Sequence, residues 1–186
     1  MLLELDRYDW AELEAAQSLQ RIRDVFAQTL AAQSFEEAST INAMEFSIYP
    51  SGGLYESAVP FLRCLVISLP LAPPIAKSEI LDCIADILTA NNAIDSIAKF
   101  NIKEKCCQLI SRNIESVLGY LHCGNARQKS ACIHILYVCS KYDSEVRKDA
   151  LYYFERVAQD NQIDVDVRND AIRKLRSLQE QRTHGH

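Results

Sequence analysis

At 186 residues the chain has the size of one domain, 1–186, long enough to bury roughly two thirds of its unfolded surface. Its composition, 48% hydrophobic but only 8% aromatic with five Gly and five Pro, excludes a disordered chain and suits a helix-rich globular one. The formal charge of −5 argues against DNA as main ligand, and seven cysteines set singly in helical patterns suit a reducing cytoplasm better than a disulfide framework.

The opening stretch, "MLLELDRYDWAELEAA", holds acids inside its only short apolar run and does not read as a signal peptide. Asp9 followed by Glu12 makes a capping-box start for a helix over 9–32, with Leu13, Ala16, Leu19, Ile22, Phe26 and Leu30 as its apolar stripe. Ser34 with Glu37 repeats the device for a shorter helix carrying Phe35, Ala38, Ile41 and Phe46. "YPSGG" at 49–53 is the clearest break. Ser57 is placed to cap the next helix, where Pro60 falls in the first turn and Phe61, Leu65 and Leu69 continue the stripe. The most apolar stretch, "FLRCLVISLPLAPPIA", is interrupted by Arg63, Pro70, Pro73 and Pro74 and cannot span a bilayer. Beyond it, 75–90 reads as a helix with Ile80, Ile84 and Ile87 inward, and 91–101 as the least regular connection. The spacing of Ile102, Cys106, Leu109, Ile110, Ile114, Val117 and Leu121 predicts one helix over 102–121.

The last third repeats itself. "DSEVRKDA" at 143–150 and "DVDVRNDA" at 164–171 agree at six positions with a constant offset of 21 residues. Each position has a task if the phrase opens a helix. The leading Asp accepts from free N–H groups, the acid behind it meets the positive end of the dipole, and Val with the later Ala shares one face. There Ala150 and Ala171 are small enough to let a neighbouring helix come close. "NARQKSACIHIL" at 125–136 is a weaker copy, with Asn125 as cap and Ala131 in the small position. In all, about eight helices joined by short turns are expected, with residues 181–186 as a frayed tail.

Motifs for chemistry are absent from the sequence: it has no phosphate loop, no G-x-S-x-G and no H-E-x-x-H, so no enzyme and no cofactor is expected. Cys106, Cys107, His122, Cys123, Cys132, His134 and Cys139 are zinc-type residues, yet they form no C-x-x-C knuckle. Cys132 and Cys139 share a helix face with Ile135 and Leu136, so the cysteines read as small core hydrophobes and no metal site is expected.

Charge is more telling. Residues 1–100 hold 6 Lys and Arg against 14 Asp and Glu, while residues 101–186 hold 14 against 11. In the acidic half Glu79, Asp82 and Asp86, spaced three and four apart, form a stripe expected opposite the apolar face; Glu36, Glu37, Glu45, Glu56 and Asp95 are other acids of this half, and the stripe together with Glu45, Glu56 and Asp95 is the expected partner surface. These six residues are the candidate partner-binding set, because such a field attracts and steers basic partners.

The phrases "DSEVRKDA" and "DVDVRNDA" resemble the D-x-x-V-R-x-x-A core of HEAT repeats. "GGLYESAVPFLRCLVISLPLAPPIAKSEILDCIADILTA" and "KCCQLISRNIESVLGYLHCGNARQKSACIHILYVC" are similar to the two halves of small bacterial HEAT-repeat proteins, so the resemblance covers roughly residues 40–178. It implies an all-α fold, an α-solenoid of stacked antiparallel helix pairs. It also implies an immunity protein, which neutralises a cognate toxin domain by occluding it. A basic toxin domain is the expected partner. A general scaffold or adaptor is the alternative, and a HEAT-like DNA glycosylase the third reading, disfavoured by the acidic balance.

Overall fold

The computed structural model describes residues 2–10, 19–44, 53–92 and 101–183. Over these the protein is all-α. Helices α1 (Leu2–Leu5), α2 (Leu19–Ala31) and α3 (Phe35–Ala38) lead into a 3₁₀ turn at Ser39–Met44. Then follow α4 (Ala58–Ser68), α5 (Pro74–Thr89), α6 (Ile102–Ser111), α7 (Ile114–Cys123), α8 (Ala126–Cys139), α9 (Ser144–Gln159) and α10 (Val165–Thr183). Among the described residues, paired extended backbone is confined to β1 (Gly53–Leu54) and β2 (Asn91–Asn92), which run parallel. None of the described helices is long and apolar enough to cross a membrane.

The repeated phrase opens helices as its residues dictate. Asp143 Oδ1 accepts from the N–H groups of Glu145 and Val146 at 2.9 and 3.2 Å, and Asp164 Oδ1 from those of Asp166 and Val167 at 2.9 and 3.4 Å. The two arginines then diverge. Arg147 donates to the Leu178 carbonyl of α10 at 2.7 Å, whereas Arg168 donates to the Asn161 side chain at 3.0 Å in the preceding turn. Asn125 and Gln128 complete a capping box at α8. At Ser34 only half of the box forms: Ser34 Oγ accepts from the Glu37 N–H at 3.2 Å, but the Glu37 carboxylate accepts from Gln33 N–H at 2.7 Å. Ser57 does not cap α4; its backbone is already helical and its buried hydroxyl has no partner among the described residues. The Asp9–Glu12 box and much of the "YPSGG" break lie outside the described residues, while α10 continues through Thr183, into the stretch expected as a tail.

The helix expected over 102–121 is two helices, and Asn113 is the reason. Its side-chain Nδ2 donates to the Leu109 carbonyl at 2.8 Å, the acceptor that its own N–H would use in a continuous helix. That N–H turns instead to the Ile110 carbonyl at 2.8 Å. The chain bends there, and α7 restarts with Ile114, Val117, Leu118 and Leu121 buried.

Helix α8 is buried along nearly its whole girth: Ala131, Cys132, Ile133, Ile135, Leu136, Val138 and Cys139 are all inside. It packs against α5, α6, α7, α9 and α10, so it is the axis of the core. Helices α9 and α10 pack against each other, and Ala150 and Ala171 are fully buried. On the other side, α3 and the 3₁₀ turn close over α5 with α2 packed on both, and Phe26 of α2 meets Phe61 of α4 with ring centroids 5.4 Å apart.

Candidate partner-binding groove

Helix α5 is where the acidic stripe was expected to face water. It is instead wedged between the 3₁₀ turn and α8, so Ser78, Glu79, Ile80, Leu81, Cys83, Ile84, Ala85, Ile87 and Leu88 are all buried. Glu79 is therefore not on a solvated face; it is fully inside, and the expectation that it meets a partner directly is corrected. Its carboxylate is paired through Oε1 with Arg127 Nη1 of α8, and Oε2 accepts from Asn42 Nδ2 of the 3₁₀ turn at 2.8 Å. A carboxylate without water needs such bonds on both oxygens, because the desolvation cost of a buried ion is several kcal/mol.

Arg127 reaches a second acid. Its Nε donates to Asp82 Oδ2 at 2.6 Å, and its guanidinium lies over the Phe35 ring, 5.6 Å from the centroid. The shifts at the two ends differ in cause. At Asp82, burial raises the pKa, and the neighbouring Glu79 carboxylate adds to it against the opposing guanidinium. At Arg127, burial pulls downward but is outweighed by the hydrogen bond to Glu79 and the charges of Asp82 and Glu79, so the cation is held more firmly. Phe35, expected on an inward stripe, is exposed: α3 lasts one turn before the 3₁₀ segment changes the angular step, and the ring is left on the outer side with Arg127.

Asn42, Asp82, Asp86, Arg127, Ser130 and His134 line an open groove of about 410 Å³ between the 3₁₀ turn, α5 and α8. Of the expected set, Asp82 and the exposed Asp86 meet here, with Glu79 behind them. Glu56 is exposed in the turn before α4 and does not line the groove. Glu45 and Asp95 lie outside the described residues.

His134, in the groove lining, belongs to a chain of hydrogen bonds. The Thr89 hydroxyl donates to the Ala85 carbonyl at 2.7 Å, so its oxygen accepts at 2.9 Å from His134 Nε2, which carries the proton. His134 Nδ1 is then the acceptor for Lys174 Nζ at 3.4 Å, and Lys174 also donates to Asp170 Oδ2 at 2.7 Å. Burial, and then the Lys174 charge, lower the His134 pKa; Asp170 opposes them.

Arg127, Asn42, Phe35 and His134 were not legible as site residues. Arg127 reads as part of the α8 capping phrase, and nothing in the spacing joins it to acids of α5.

Cys64, Cys106 and Cys132 are buried, and burial pushes each thiol up to about 12. Cys123 is the exposed cysteine. Among the described residues no three His, Cys, Asp or Glu side chains converge as metal ligands. Comparison of the chain with protein-family models, with proteins of known function and with solved structures gives no match.

Proposed function

We propose that the chain is a protein-binding module, a solenoid whose groove between α5 and α8 receives a basic partner domain. The observation that carries this reading is the groove's charge: the carboxylates of Asp82 and Asp86 line it, with buried Glu79 behind them, and Arg127 is the guanidinium among its lining residues. Arg127 is tied to two of those acids, so the groove is held in shape before any partner arrives. Preformed acids need no reordering on contact, which lowers the cost of association. Exposed Phe35 beside them supplies the aromatic contact on which interfaces commonly rest. The all-helical packing around α8 supplies the rigid frame that such a binding surface needs.

The resemblance to small bacterial HEAT-repeat proteins makes the partner more specific. The module is a cytoplasmic immunity protein, and its partner is a cognate toxin domain whose basic surface the groove covers. The test is co-purification of the chain with the protein encoded beside it, comparing wild type, Asp86→Lys and Lys148→Glu. Asp86 is on the groove, while Lys148 is an exposed residue of α9 that pairs with Glu145. Asp86→Lys should weaken binding strongly and slow association most at low salt. Undiminished binding by Asp86→Lys, with loss in Lys148→Glu, would move the interface to the C-terminal helices.

A further inference from the structure

A second cleft, of about 430 Å³, lies on the basic half of the chain, where the end of α7 meets α8 and α9. Its apolar floor comes from Leu121, Val157 and Ile163. Its rim is aromatic. His122 meets Tyr153 edge-on with ring centroids 5.3 Å apart, and Tyr153 meets Tyr152 in the same way at 5.1 Å. Tyr152 does not itself line the cleft but stands beside Tyr153 at its edge, 50% exposed. One turn further along α9, the Arg156 guanidinium lies 4.6 Å from the Tyr152 centroid. Arg156 is exposed and has no carboxylate partner among the described residues, so its guanidinium is open to one.

The opposite wall carries Lys129, whose ammonium donates to the Leu121 and His122 carbonyls at 3.0 and 2.8 Å and is thereby fixed in place. The one acid in the lining, Asp160, accepts from the Gln162 N–H at 2.8 Å, folding its own turn.

We infer that this cleft is a second protein-docking site, taking an acidic segment that carries an aromatic or bulky apolar side chain next to a carboxylate. The guanidinium matches a carboxylate in a bidentate pair, and Tyr with Arg at a pocket mouth is the pairing on which interface affinity concentrates. The apolar floor accommodates the neighbouring side chain. Two cations and one acid in the same lining do not make a track for successive phosphates, which nucleic acid would need. The site is of opposite sign to the groove at α5 and α8, so the two surfaces recognise different segments.

The probe is a fluorescein-labelled peptide of alternating Glu and Phe, followed by anisotropy with the full chain. Matching probes are a Lys and Phe peptide and a thymidine oligonucleotide. The Glu and Phe peptide should bind wild type and Asp86→Lys alike. Arg156→Glu and Tyr152→Ala should each weaken it by about tenfold or more, a loss of 1.4 kcal/mol on the binding scale. Arg156→Lys, which keeps the charge but not the planar edge, should fall between. The Lys and Phe peptide should respond instead to Asp86→Lys, so failure of either surface is separately visible. Equal binding of the Glu and Phe peptide to wild type, Arg156→Glu and Arg156→Lys, or tighter binding of the oligonucleotide at this cleft, would overturn the inference. Tyr152 and Arg156 are both exposed, so circular dichroism melts of the variants should match wild type.

Discussion

Arg127→Ala would leave the Glu79 carboxylate inside the protein with only the Asn42 amide to bond it. Removing one member of a buried ion pair costs about 3–5 kcal/mol, because the remaining charge is neither hydrated nor neutralised. The Glu79 side chain is 1% exposed, so its desolvation is nearly complete. That of Arg127 is 45% exposed, so water entering the vacated space would reach part of the carboxylate. The expected loss is therefore at the low end, about 3 kcal/mol, or roughly 6–12 °C in midpoint for a chain of this length. Glu79→Leu combined with Arg127→Met removes both charges and should recover most of that loss, since apolar replacement of a buried pair is often neutral or stabilising. Thermal melts and urea titrations of the single and double variants measure both effects. A shift under about 2 °C for Arg127→Ala would show that the pair is not needed to hold Glu79 inside. A double variant that unfolds as early as Arg127→Ala would show that the damage is not an orphaned carboxylate.

The His134 bridge implies a pH dependence of known sign. Its folded pKa lies below the ordinary 6.5, so as the pH falls through 6.5 the unfolded chain takes the proton first and stability declines down through the folded value. His134→Gln should flatten that decline in urea titrations between about pH 7 and pH 5, and an unchanged slope would remove His134 as its source. The raised Asp82 has the opposite sign: as the pH falls through its folded value toward the ordinary 3.8, the folded chain takes the proton first and stability is added. At the α9–α10 contact, Ala150→Leu should overpack a position with no free surface and cost about 1–3 kcal/mol by urea denaturation. Unchanged stability would mean the two helices separate easily.

What the amino-acid order determined without help was local. Asp143, Asp164 and Asn125 cap their helices because a cap needs only an acceptor and the N–H groups of the next turn. Ala150 and Ala171 are buried because a small residue on an apolar stripe has the same meaning in any helix pair. The break at Asn113 was also local, but a stripe of apolar residues runs through it unchanged, so periodicity could not see one side chain competing for the Leu109 carbonyl. The site belongs to tertiary structure. Spacing placed Glu79, Asp82 and Asp86 on adjoining turns of α5, but which of them meets water depends on what lies against that helix. Asn42 comes from 37 residues before Glu79 and Arg127 from 48 residues after it. Only when the 3₁₀ turn and α8 close on α5 does one acid become a buried counter-ion, another a bridged wall and the third a rim.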